Sequence, residues 1–179
     1  MSQRKLVISA IVANTLVAAI AYALYGWTRI GAHVAARSTA RFAALVFVIA
    51  FAQPGLARWI ASLPSYATLV YAWVAAHCVH FVAVAITFAL DRSPHPHLAE
   101  IVVVGFTIVV ISGVTVGHSV SRAMRVIHAV AIYATFLVFM LAFATNRFVP
   151  LRALAVLLVL SLALRVAGMM TAKRTPITA

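Results

Sequence analysis

Six apolar runs of about twenty residues each, divided by short polar connections, constrain this chain more than any other feature. A hydrocarbon core is crossed by roughly 20 helical residues, and every backbone N–H and C=O inside it needs an internal partner. The runs are therefore read as helices. The expected fold is all-α, a polytopic transmembrane bundle of about six helices forming one domain over 1–179. A composition that is 65% hydrophobic, with a mean hydropathy of +1.10, agrees. It lies well above the roughly 45–50% of water-soluble domains.

The first run covers about 6–27, and a connection holding Arg29, His33 and Arg37 follows. The second covers about 41–59, with Pro54 and Gly55 near its end, where the missing proline donor is expected to kink or stop the helix. Ser62, Pro64 and Ser65 make a turn and a helix start. The third run, about 66–90, carries Trp73, His77, Cys78 and His80, and closes at the proline-rich turn 91–97 that holds His95 and His97. The fourth, about 98–117, is joined through His118, Ser119, Ser121, Arg122 and Arg125 to the fifth, about 123–145. Asn146, Arg147 and Pro150 turn the chain into the sixth, about 151–170. Gly105, Gly113 and Gly117 suit close helix contacts.

A formal net charge of +12 raises nucleic acid as a partner. The basic residues sit at helix ends, not on one polar face, which suits anionic lipid headgroups and topology control instead. Arg4 and Lys5 before an apolar run imitate a secretory leader, but Tyr22, Tyr25 and Trp27 give that run an interfacial end and favour a retained span. The single cysteine, Cys78, excludes an internal disulfide. Six spans put both termini on one side. That side carries seven basic residues against six on the other, so both ends are expected in the cytoplasm.

An ionisable group inside a bilayer is expensive, so the intramembrane histidines draw a functional hypothesis. His77 and His80 are three residues apart on the third run and can share a face. His128 lies early in the fifth run, and His118 at the adjoining end of the fourth. The third and fifth helices run in the same direction, so His77 and His128 start from the same membrane face, with an expected depth difference of about 8 Å. Imidazoles on facing helices can take the two axial positions of a haem iron. Each can equally satisfy a hydroxyl, a carbonyl or a lipid phosphate.

Other chemistries have less support. Asp91 and Glu100 lie near the ends of their spans, leaving no carboxylate pair for acid–base work. No Gly-rich phosphate loop occurs, and zinc on His77 and His80 would need a third ligand at matching depth.

Three segments resemble the ferric-reductase-like transmembrane domain family, closest to the small haem-binding membrane subunit of bacterial periplasmic methionine sulfoxide reductase systems. They are Arg37-Ser38-Thr39-Ala40-Arg41-Phe42-Ala43 running on to Gln53-Pro54-Gly55-Leu56, Tyr71-Ala72-Trp73-Val74-Ala75-Ala76-His77, and the basic-to-aromatic stretch from Ser121 through His128 to Tyr133. The similar core spans 37–143. Ala40 stands where the family has Gly, Gly55 separates Pro54 from Leu56, and Leu141 stands where a further histidine is common. The resemblance implies one b-type haem (haem b) held by His77 and His128, with His80 and His118 as the other cofactor-binding candidates. It also implies electron transfer from a quinol or flavoprotein donor, a periplasmic redox partner and a bacterial inner-membrane setting. The competing expectation is a small transporter or structural membrane subunit without a cofactor.

Overall fold

In the computed structural model, residues 2–91, 96–117, 121–145 and 149–172 are described; for 96–98, 149–151 and 171–172 this extends to the backbone alone. Six helices make up the described fold: α1 Gln3–Tyr25, α2 Arg29–Leu56, α3 Tyr66–Leu90, α4 Pro96–Gly117, α5 Arg122–Ala144 and α6 Val149–Ala172. Each contains a stretch long and apolar enough to cross a membrane. Large apolar side chains such as Leu16, Ile20, Val103, Leu137 and Leu160 face outward. That surface fits lipid contact, and the fold fits an integral membrane protein.

Local chemistry explains the helix starts. The hydroxyls of Ser2, Thr28, Ser65 and Ser121 accept from the backbone N–H three residues on, at Lys5, Gly31, Thr68 and Met124. Each satisfies one donor that the first helical turn leaves open. Gly26 turns the chain between α1 and α2 with φ of 70°, a left-handed conformation that favours glycine.

One expectation about α2 needs correction. Arg29, His33 and Arg37 do not lie in a connection, because the Thr28 cap starts the helix at Arg29. The helix therefore has 28 residues and carries these three side chains on its own face. Pro54 lies inside the last turn of the helix, which ends two residues further on at Leu56. The guanidinium of Arg165 on α6 donates from Nη1 to the Phe51 carbonyl at 3.0 Å, on the turn that Pro54 disturbs.

The core lies around α2 and α3, where Phe47, Phe51, Val70 and Trp73 are wholly or almost wholly buried and α5 and α6 add Ile132, Phe136 and Leu158. Asn14 ties α1 to this pair. Its buried amide donates to the Ala76 carbonyl at 2.7 Å and the Thr39 carbonyl at 3.4 Å. Helices α2 and α6 meet backbone to backbone: a Cβ at Gly168 would lie 2.8 Å from the Gly55 Cα, and one at Gly55 would strike the Leu164 carbonyl. Gly113 and Gly117 pack tightly on Val74 and Tyr71 of α3, as expected of small residues. Gly105 does not, since a Cβ there would find only the edge of Phe81 at 3.8 Å.

Candidate functional site

Helices α2, α3, α4 and α5 do not close on one another along their whole length. They leave a cleft of about 480 Å³ at the end of the bundle where α2 begins and α3 finishes. Helix α2 contributes Arg29, His33 and Arg37, which recur every fourth residue and so share a face. Helix α3 contributes His77, His80, Val84 and Thr87, and its C-cap Asp91, while α4 and α5 supply mostly apolar walls, among them Ile101, Val109, Val138 and Phe139.

At the mouth, Asp91 Oδ2 lies 3.2 Å from Arg29 Nη2 and 3.5 Å from His33 Nε2, clasping the start of α2 to the end of α3. At the floor, His77 is 5% exposed, and its Nδ1 closes no well-formed hydrogen bond, the ring reaching only weakly to the Trp73 backbone one turn earlier. Its ring lies 5.1 Å from Trp73, 5.6 Å from Phe139 and 5.9 Å from His80, measured between centroids. The Nδ1 of His80 lies 3.2 Å from the Thr39 hydroxyl oxygen. That hydroxyl directs its one proton to the Ala35 and Ala36 carbonyls, at 2.8 and 3.0 Å. It therefore accepts from His80, which assigns the proton of that imidazole to Nδ1.

Beyond His77 the space is filled by rings. Phe47 stands 5.1 Å from Trp73 and 5.3 Å from Phe139, and Phe51 stacks on Phe136 at 5.0 Å. A second polar group follows at the opposite end of the bundle. Tyr66 and His128 Nε2 are 2.8 Å apart, and His128 Nδ1 is 3.0 Å from the Thr115 hydroxyl oxygen. Thr115 donates to the Ile111 carbonyl at 2.6 Å, so it accepts from His128 Nδ1–H and leaves Nε2 to accept from Tyr66. The Arg165 guanidinium lies over the rings of Phe51, Tyr66 and Tyr133 at 4.7, 5.3 and 5.7 Å, which offsets part of the cost of a cation in this layer.

This geometry overturns the haem expectation. His77 and His128 do not share a site. Tyr66 touches His128, while His77 touches Phe139, and each of these contacts is separated from the other by eleven residues on both helices. The two imidazoles are thus about 16 Å apart in depth, not 8 Å, and no one iron reaches both. Both ring nitrogens of His128 are also committed to hydroxyl partners. Among the described residues, no three His, Cys, Asp or Glu side chains come together to hold a metal ion. Haem b, iron binding and electron transfer through His77 and His128 are therefore withdrawn as the function of this chain. His118 and His95 lie outside the described residues, as does the side chain of His97.

The sequence reading found His77 and His80 but missed the polar stripe that faces them. The signal was present in the four-residue spacing of Arg29, His33 and Arg37. Treating them as a connection concealed it. Arg165 and Asn14, polar groups in otherwise apolar runs, were equally legible. Protein-family models, curated proteins and solved structures contain no match to this chain.

Proposed function

We propose that this chain is a cofactor-free, solute-binding membrane protein of the transporter kind, admitting a small amphipathic solute between α2, α3, α4 and α5. The observation that carries the reading is the cleft itself. Its volume of about 480 Å³ falls within the range of small-molecule sites, its walls are apolar, and charged or imidazole groups stand at its two ends. A purely structural subunit gains nothing from an open cleft with a buried imidazole at its floor that closes no well-formed hydrogen bond.

The two polar groups and the ring stack between them suit passage in steps. The solute would enter past Arg29 and Asp91 and rest against His77. It would leave only when the rings around Trp73 and Phe47 part and the Tyr66–His128 contact opens. A bacterial inner membrane with both termini in the cytoplasm, favoured by the seven-to-six basic count, would turn the mouth outward. Kinship with the ferric-reductase-like domains over 37–143 enters this proposal as a shared helical scaffold only. The quinol or flavoprotein donor and the periplasmic redox partner belong to the haem reading and are not carried over.

The test is side-specific access in a Cys78→Ser background reconstituted into liposomes. Val84→Cys, on the cleft wall, should react with a membrane-impermeant thiol reagent from the face that carries Arg29 and Asp91. Val70→Cys, buried beyond Trp73, should react more slowly and from the opposite face. No reaction at Val84→Cys from either face would sink the cleft as a solute site. Reaction there with none at Val70→Cys would reduce it to a closed binding pocket and refute transport.

A further inference from the structure

Resting on the cleft as a solute site, we infer that its ligand is a small organic monoanion, with its acid group on Arg37 and a second hydrogen-bonding group reaching His77. The charges in the cleft are unequal. Arg29 and Arg37 face it from α2 with the imidazole of His33 between them, and Asp91 is the acid that lines it. Asp91 is engaged by Arg29 and His33, and no carboxylate of the described residues lies within ion-pair distance of Arg37. Arg37 stands eight residues below Arg29, about 12 Å further along the helix. It thus offers an unmatched guanidinium partway down an apolar wall. A planar acid group answers that fork with two charge-assisted hydrogen bonds.

The second contact is set by helix register. The 3.2 Å approach of Thr39 to His80 aligns α2 with the antiparallel α3. Arg37 is two residues from Thr39 toward the mouth, and His77 is three residues from His80 toward the floor. The two groups are therefore about 7.5 Å apart in depth. Val84, Phe81, Ile108 and Val138 wall the cleft apolar alongside them. His77 Nδ1 at the lower level is a buried polar atom that closes no well-formed hydrogen bond and reaches the Trp73 backbone only weakly. A ligand with an acid at one end, an apolar body, and a hydroxyl or carbonyl about 7 Å away satisfies both groups at once. Hydroxylated aromatic carboxylates have this form.

Equilibrium dialysis of the full chain in lipid nanodiscs, against empty nanodiscs, tests the assignment with three probes of one shape. They are 4-hydroxyphenylacetate (anion), 4-(2-hydroxyethyl)phenol (neutral) and 4-(2-aminoethyl)phenol (cation). The anion should bind about tenfold or more tighter than the neutral probe, and the cation most weakly. Arg37→Gln should bring the anion down to the level of the neutral probe without changing the latter. Arg37→Lys should retain part of the difference. Phenylacetate, which lacks the distal hydroxyl, should bind several-fold more weakly than 4-hydroxyphenylacetate to the native chain, and equally to His77→Phe.

Neutral and anionic probes of equal affinity, or tighter binding of the cation, would overturn the monoanion assignment and leave the cleft as a binding site. So would an Arg37→Gln variant that weakens all three probes alike. If none of the probes binds the native chain above empty nanodiscs, the monoanion assignment falls. If, in addition, Val84→Cys is closed to reagent, the cleft reading falls with it.

Discussion

Replacing Gly168 by alanine tests the backbone-to-backbone contact of α2 with α6, on which the placement of α6 and Arg165 depends. The added Cβ would stand 2.8 Å from the Gly55 Cα, 2.8 Å from the Pro54 carbonyl oxygen and 2.9 Å from the Gly55 nitrogen. Ordinary carbon contacts lie near 3.5–4.0 Å, so the helices must part by roughly 1 Å, because backbone cannot rotate aside as a side-chain tip can. Overpacking of this kind costs about 1–3 kcal/mol, while exchanging glycine for alanine within a helix returns about 0.5–1 kcal/mol. Separation also draws Arg165 away from the Phe51 carbonyl, which it meets at 3.0 Å. The expected net loss is about 1–2 kcal/mol. Gly105→Ala is the matched control. Its Cβ meets only Phe81 at an ordinary 3.8 Å, so this variant should gain about 0.5 kcal/mol. Reversible unfolding in mixed micelles, followed by tryptophan fluorescence, measures both. A Gly168→Ala protein as stable as the native chain, or a Gly105→Ala protein less stable than Gly168→Ala, would refute the backbone contact between α2 and α6.

The chain purified from cells supplied with haem should give no low-spin b-type spectrum, since both nitrogens of His128 are engaged and His77 lies about 16 Å away in depth. A Soret band lost on replacing both residues would reverse that correction. A double-mutant cycle between Tyr66→Phe and His128→Ala should return a coupling of about 0.6 kcal/mol, and no more than about 1.7 kcal/mol, in the same unfolding assay. Zero coupling would deny the 2.8 Å hydrogen bond. Asp91→Asn should change stability by less than about 1 kcal/mol, because its partner Arg29 is 63% exposed at the side chain. The same variant should tighten binding of 4-hydroxyphenylacetate by removing the acid from the cleft mouth, and a weaker affinity would count against the charge argument.

The number, type and approximate limits of the helices are written in the sequence, because a bilayer accepts little besides an apolar helix of about twenty residues. Serine or threonine caps at 2, 28, 65 and 121 mark helix starts by a chemistry local to a few residues. Thr28 carried the missing information about α2, and the four-residue recurrence of Arg29, His33 and Arg37 was the periodic sign that this segment is helical. The site was legible only in part: His77 and His80 announce themselves as imidazoles in apolar surroundings, but nothing local says which helix faces them. That was decided by the sliding of whole helices. Tyr66 against His128 and Phe139 against His77 place the two expected ligands at different depths, and Thr39 against His80 brings Arg37 above the cleft floor. A shift of one helix by about three turns would leave every local propensity unchanged while exchanging those partners. Register arises from packing between distant segments, such as the meeting of Gly55 with Gly168, and so only the tertiary structure could decide it.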